Sequence, residues 1–210
     1  MLAHLGIRPG GGYQPSAQEL ESRHASPLAQ TKTQDGISLE VHELDVADRS
    51  NRPDVIGKLS PTLRVPVLVL DDGRPLIESN AIIGYLAEGT AYMPADSYLR
   101  AQVLAWQFFE QYEIEPNLAV ARFWKLFNVE SSPEQREAKQ VAGHKGLQAL
   151  ERGLTGRDWL AGERYSVADI SLYGYTHVAH EGGFDLEPYP HIRAWLQRVA
   201  QQPGHLLISD

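Results

Sequence analysis

Two short stretches carry residue types that can do chemistry together: Val65-Pro66 and Glu78-Ser79-Asn80. A proline that opens a strand cannot donate to a ladder, so the Val65-Pro66 bond is a candidate for the cis form, which fixes a tight local geometry. An ordinary edge-strand proline is the alternative. Glu78-Ser79 falls where a strand hands over to a helix, and a helix N-terminus offers free backbone N–H groups and partial positive charge to a carboxylate. Ser79 adds a hydroxyl and an N–H, while Glu78 can hold an ammonium. Together they match an amino-acid zwitterion; simple N-capping by Ser79 is the competing explanation.

Such a constellation needs strand, turn, strand and helix in quick succession. A strand at Pro66–Leu70 runs into Asp71-Asp72-Gly73-Arg74, where Asp-Gly tolerates the positive φ of a tight hairpin turn, and returns over Pro75–Ile77. Ser79 suits the N-cap of a following helix, whose apolar face is Ile82, Ile83 and Leu86 and whose stop is Glu88-Gly89. Upstream, Ile37, Leu39 and Val41 alternate with Ser38, Glu40 and His42, the pattern of a half-buried strand. Residues 8–36 differ. They hold Gly10-Gly11-Gly12, Pro9, Pro15 and Pro27, with only Leu20 and Leu28 as large aliphatics, and read as a loop-like insertion with room for a short helix near Ala17–Glu21.

Past Pro94 the strand signals vanish, and helices are expected near 96–128, 133–153, 166–181 and 190–202. The third has a start signal: Ser166 as N-cap, Asp169 as its capping-box partner, and Tyr165 with Ile170 as a hydrophobic staple. Ser166 and Asp169 are read as structural. The last helix has Pro190 at its first position and Gln202-Pro203-Gly204 beyond its end.

The bulk properties narrow the function. A formal net charge of -8 on 210 residues disfavours broad attachment to nucleic acid or anionic lipid. No apolar run approaches the roughly 20 residues of a membrane-spanning helix. The opening Met-Leu-Ala-His-Leu-Gly-Ile lacks the basic lead-in of a secretion signal, so a cytoplasmic protein is expected. With no cysteine, disulfides, cysteine-ligated zinc and any protein-borne dithiol or cysteine nucleophile are excluded, and thiol chemistry must use a thiol on the ligand.

Arg64-Val65-Pro66-Val67-Leu68, followed after the hairpin by Glu78-Ser79-Asn80-Ala81-Ile82, resembles the glutathione-binding core of glutathione S-transferases. The resemblance extends through Phe108-Phe109-Glu110-Gln111-Tyr112, Ala121-Arg122-Phe123-Trp124, the Ser166/Asp169 box and the stretch from Tyr175 to Phe184, which look like bacterial members, and it covers about residues 37–205. It implies glutathione as cosubstrate, with the Val65 backbone before cis-Pro66 pairing with the cysteinyl part and Glu78 and Ser79 binding the γ-glutamyl end. It also implies a homodimer and conjugation of the glutathione thiolate to a small electrophile, a detoxification chemistry.

The same resemblance implies an α/β plus all-α fold. A thioredoxin-like N-terminal domain over 1–88, missing its first strand and carrying the 8–36 insertion, precedes an all-helical C-terminal domain over 94–210. Leu2-Ala3-His4-Leu5-Gly6-Ile7 resembles only the end of the family's first helix. The Ser, Tyr or Cys that steadies the thiolate in the family therefore has no matched position. Tyr13, Ser16, Ser22 and Ser26 have hydroxyls but not the family's strand-to-helix context, and no catalytic residue is assigned. A non-catalytic glutathione S-transferase-fold binding or interaction protein is accordingly the alternative function.

Tyr112 and Arg122, among Phe108, Glu115, Phe123 and Trp124, are candidates for an apolar cosubstrate cleft, against the alternative that aromatics at helical spacing form core. His177 and His180, with Glu181, have metal-ligand spacing but no third ligand from elsewhere. No metal is expected.

Overall fold

The computed structural model describes residues 32–34, 37–39, 42, 44 and 49–205. The Ala17–Glu21 and Leu2–Ile7 segments, Val41, and the hydroxyls of Tyr13, Ser16, Ser22 and Ser26 lie outside the described residues. Strand β1 (Lys32–Gln34) pairs antiparallel with β2 (Ile37–Leu39), with Lys32 opposite Leu39. This corrects the loop-like reading of residues 32–34. The overlooked signal is Asp35-Gly36, a dipeptide suited to a two-residue hairpin turn between short β-compatible runs.

A short helix, α1 (Arg52–Ile56), follows, with Pro53 in its first turn, where a missing N–H does no harm. Strand β3 (Val67–Val69) then pairs antiparallel with β4 (Pro75–Ile77), Val67 against Ile77 and Leu68 against Leu76. The turn between them is built as the sequence suggests. Gly73 takes φ +84°, its N–H donates to the Leu70 carbonyl at 2.8 Å, and Asp72 accepts from the Arg74 N–H at 3.1 Å. Helix α2 (Ser79–Ala87) buries Ile82, Ile83 and Ala87.

The rest is helical: α3 (Ser97–Phe109), a π-helical segment (Glu110–Ala119), α4 (Val120–Leu126), α5 (Pro133–Leu154), α6 (Val167–Thr176), a 3₁₀ turn (Ala179–Gly182) and α7 (Pro190–Ala200). The helix expected over 96–128 is thus one continuous run with a widened middle. Pro116 sits inside that middle, and a proline there removes a hydrogen bond and crowds the preceding turn, which the wider i→i+5 winding accommodates. The Asn117 side chain donates to the Glu113 carbonyl at 2.9 Å, supplying a donor within the wide turn. Helix α6 stops at Thr176, short of the expected 181, and the chain continues as the 3₁₀ turn, closed by Gly183 at φ +88°.

The core lies among the C-terminal helices. Leu147, Leu150 and Leu154 of α5 form one stripe against Ile114 and Leu118 of the π segment, Leu172 of α6, and Ile192 and Trp195 of α7. Close approach is possible because α5 carries glycines on that face: a Cβ at Gly143 would meet Phe184 at 2.3 Å, and one at Gly146 the Glu113 carbonyl at 2.9 Å. Ile83 and Ala87 of α2 join the same cluster, so the helix that begins at Ser79 is anchored in the helical core. No described helix is long and apolar enough to cross a membrane.

Candidate glutathione half-site

The Val65-Pro66 peptide bond is cis, as the sequence suggests, and stands one residue ahead of β3. Val65 is 37% exposed, which leaves this corner reachable from solvent. Across the hairpin, the helix start differs from expectation by one residue. Glu78, at φ +68°, is the N-cap: its carbonyl accepts from Ile82 N–H at 3.0 Å, which makes Ser79 the first helical residue. Ser79 is therefore not the cap. The Glu78 side chain makes no capping hydrogen bond and is exposed, and among the described residues the Ser79 hydroxyl has no hydrogen-bond partner. Both are thus available at the end of α2 where unsatisfied N–H groups collect.

Behind Ser79 lies a polar cluster that the sequence reading did not assemble. Asn80 Nδ2 donates to the Gln107 carbonyl at 3.2 Å and to Glu110 Oε2 at 3.1 Å, while Gln107 Nε2 donates to the Asn80 carbonyl at 3.3 Å. The Ser171 hydroxyl donates to Asn80 Oδ1. Gln111 Nε2 donates to Glu110 Oε2 at 2.6 Å. Burial pushes the Glu110 carboxyl up to about 7, against the lowering effect of the Gln111 and Asn80 hydrogen bonds, and nearby Glu115 adds to the rise. The Glu115 carboxyl is also raised, chiefly by burial. Arg64 pulls it down and Glu78 pushes it up, which places this helical-domain carboxylate in the electrostatic field of the half-site. The available signal was Glu110-Gln111 within an otherwise aromatic motif.

The proposed cleft residues separate. Tyr112 is 78% exposed, whereas Arg122 is 5% exposed and its guanidinium donates to the Glu181 carboxylate from Nε. Phe108 is exposed. Tyr175, half-buried near Glu110, Glu115 and Arg122, has its hydroxyl pushed up to about 12, first by desolvation and then by the two carboxylates. His177 Nδ1 lies 2.7 Å from the Tyr173 carbonyl and its ring stacks on Tyr173, while His180 is exposed.

The Ser166/Asp169 capping box forms as read. The Asp169 carboxylate accepts from Ser166 N–H at 3.0 Å, and the Ser166 hydroxyl accepts from Ala168 N–H at 3.3 Å. A surface cavity of ≈ 360 Å³ lies elsewhere, between the end of α4 and the start of α5, lined by Trp124, Lys125, Arg136 and Gln140 among others. None of Val65, Pro66, Glu78 or Ser79 lines it.

Both parts of the chain are similar to known proteins. Residues 34–88 match the glutathione S-transferase N-terminal domain and residues 102–203 the glutathione S-transferase C-terminal domain. The chain is 30% identical over 160 residues to the disulfide-bond oxidoreductase YfcG of Escherichia coli K12, covering 73% of this chain and 74% of that protein. It is 28% identical to the glutathione S-transferase GstA of Escherichia coli O157:H7, over 91% of this chain and 92% of the relative. Among solved structures, a glutathione S-transferase from Pseudomonas fluorescens Pf-5 superposes with TM-score 0.78 at 44% identity, covering 81% of this chain and 86% of that one. The fold is a thioredoxin-like N-terminal domain followed by an all-helical C-terminal domain. On these grounds the chain belongs to the glutathione S-transferase family.

Proposed function

We propose that the chain is a glutathione transferase, in which bound glutathione, as thiolate, attacks a small electrophile. The observation that carries this reading is the pairing of the cis Val65-Pro66 corner with an uncapped Ser79 hydroxyl and an exposed Glu78 carboxylate at the start of α2. The Val65 backbone pairs with the cysteinyl unit. Ser79 and the free N–H groups of α2 receive the γ-glutamyl carboxylate, and Glu78 holds the ammonium. Glu115 adds negative charge on the ammonium side. These contacts position the thiol; since the chain has no cysteine, the sulfur that reacts is the ligand's. Tyr112 is exposed enough to meet a second substrate, whereas Arg122 serves through its ion pair with Glu181. The protein acts in the cytoplasm as a homodimer.

The second reading keeps the fold and the half-site without turnover. It is favoured by one observation: the N-terminal domain match begins at residue 34, so no residue within it supplies the family's thiolate-steadying hydroxyl ahead of Ile37. Glutathione retained on the protein together with conjugation of a chlorodinitroarene well above the uncatalysed rate supports the transferase. Retention without turnover supports the binding protein, and loss of both readouts contradicts the half-site.

A further inference from the structure

We propose that the cavity of ≈ 360 Å³ between the end of α4, the start of α5 and the 3₁₀ turn is a binding site for a small aromatic phosphate monoester, separate from the glutathione half-site. Two cations, Lys125 and Arg136, line it beside Gln140 and Trp124, and none of the lining residues is acidic. In a chain of formal net charge -8, such a lining runs against the average and suits an anion. Glu130 lines the neighbouring depression, which shares Ser131 and Arg136, and so bounds the anion's place on that side. Glu134, whose carboxyl is lowered first by the Ser132 hydroxyl and only last by Arg136, does not line the cavity. Neither Tyr112 nor Arg122 nor any half-site residue lines it, so the site does not depend on how glutathione is held.

The lining is rich in donors and poor in acceptors. Among the described residues Lys125 makes no ion pair or hydrogen bond. A Cβ at Gly183 would meet Lys125 Nζ at 2.6 Å and Gln140 Nε2 at 3.7 Å, so the two nitrogens face one spot. Gly183 holds φ +88°, a conformation that favours glycine, and its missing Cβ gives the ammonium room. Gln140 Nε2 donates one hydrogen to the Gly182 carbonyl at 3.0 Å and keeps the other. Arg136 stands one turn before Gln140 on the same face of α5. Its Nη1 donates to the neutral Ser131 hydroxyl at 3.1 Å, and among the described residues no carboxylate pairs with it. The two cations therefore flank one short stretch of α5. A phosphate monoester suits that stretch, because it gathers up to two negative charges on three acceptor oxygens, to be met by ammonium, amide and guanidinium. A lone carboxylate would leave one cation unmatched. Trp124 supplies a flat apolar face: it is half-buried, and among the described residues its indole contacts no other ring and its Nε1 has no hydrogen-bond partner. The volume lies at the small end of ligand pockets, about 300 to 1,000 Å³, which admits one or two fused rings with the phosphate.

The test is calorimetric titration of 1-naphthyl phosphate at pH 7.5, where the monoester is largely dianionic, with and without excess S-methylglutathione. The wild type should show one site whose affinity S-methylglutathione leaves unchanged. Lys125→Met and Arg136→Gln, both replacements of exposed side chains, should each weaken binding roughly five-fold or more, and together abolish it. Lys125→Arg, which keeps the charge, should bind as the wild type does. Inorganic phosphate, which lacks the ring, and naphthalene-1-sulfonate, which has the ring with a single charge, should each bind several-fold more weakly. Absence of binding by the wild type, displacement by S-methylglutathione, or undiminished binding by the Lys125→Met/Arg136→Gln double variant overturns the proposal. Equal or tighter binding of naphthalene-1-sulfonate or of phthalate, a dicarboxylate, overturns the assignment to a phosphoryl group.

Discussion

The indole Nε1 of Trp195 donates to Asp169 Oδ1 at 2.9 Å, joining the first turn of α6 to the middle of α7 through a carboxylate with no exposed surface. The same oxygen accepts from the Leu160 N–H at 3.0 Å, and the second oxygen takes both donors of Ser166. Asp169 is therefore more than a capping partner: four donors converge on it, from the turn before α6, the cap and α7. Burial raises its carboxyl, and these hydrogen bonds pull it back toward the ionised form.

Replacing Asp169 with alanine should leave four buried donors unsatisfied and destabilise the protein by about 3 to 5 kcal/mol, well beyond the roughly 1 kcal/mol of an ordinary cap. Urea unfolding followed by tryptophan fluorescence measures it. A loss near 1 kcal/mol would reduce Asp169 to its capping role.

Stability should also respond to Glu110. Its folded carboxyl is raised from the usual 4.5 to about 7. The contribution of a raised group is fully present below the unfolded value and is lost as pH rises through the folded one. Relative to Glu110→Gln, the wild type should lose stability between about pH 4.5 and 7, by up to about 3 kcal/mol in all. Denaturant titrations of both proteins at pH 5 and pH 8 give the difference; parallel behaviour at the two pH values would contradict it.

Glu181→Ala should strand the Arg122 guanidinium, whose side chain is only 7% exposed. The expected cost is about 2 to 4 kcal/mol, below the fully buried range because the Glu181 side chain is 32% exposed. Adding Arg122→Met to that variant should recover most of the loss, since the pair would then be replaced by an apolar side chain. Failure of the second substitution to restore the melting temperature would count against the ion pair as the cause.

What the sequence discloses and what it hides follow the range of the interactions. The Asp71-Asp72-Gly73 turn, the Ser166/Asp169 box and Pro190 at the start of α7 are local devices, and each appears where the residue pattern places it. The five-residue α1 is too short to show a period, and Lys32–Gln34 has no apolar alternation of its own, so the Asp35-Gly36 dipeptide after it was its one local signal. The wide winding around Pro116 was hidden because its neighbours keep helical spacing. At the site, Val65-Pro66 and Glu78-Ser79 could be read from their motif, yet the cap moved one residue, to Glu78 at positive φ. The grip of Gln107, Glu110 and Ser171 on Asn80 depends on packing between distant segments, which no local pattern encodes.

The central claim is that Ser79 at the start of α2 holds glutathione. Isothermal titration of glutathione into the wild type and Ser79→Ala at pH 6.5 tests it directly. Loss of a hydroxyl that donates to a carboxylate should weaken binding by about 1.5 to 3 kcal/mol, roughly ten-fold or more in Kd. Equal affinity in the two proteins, or no binding by the wild type, would contradict the account.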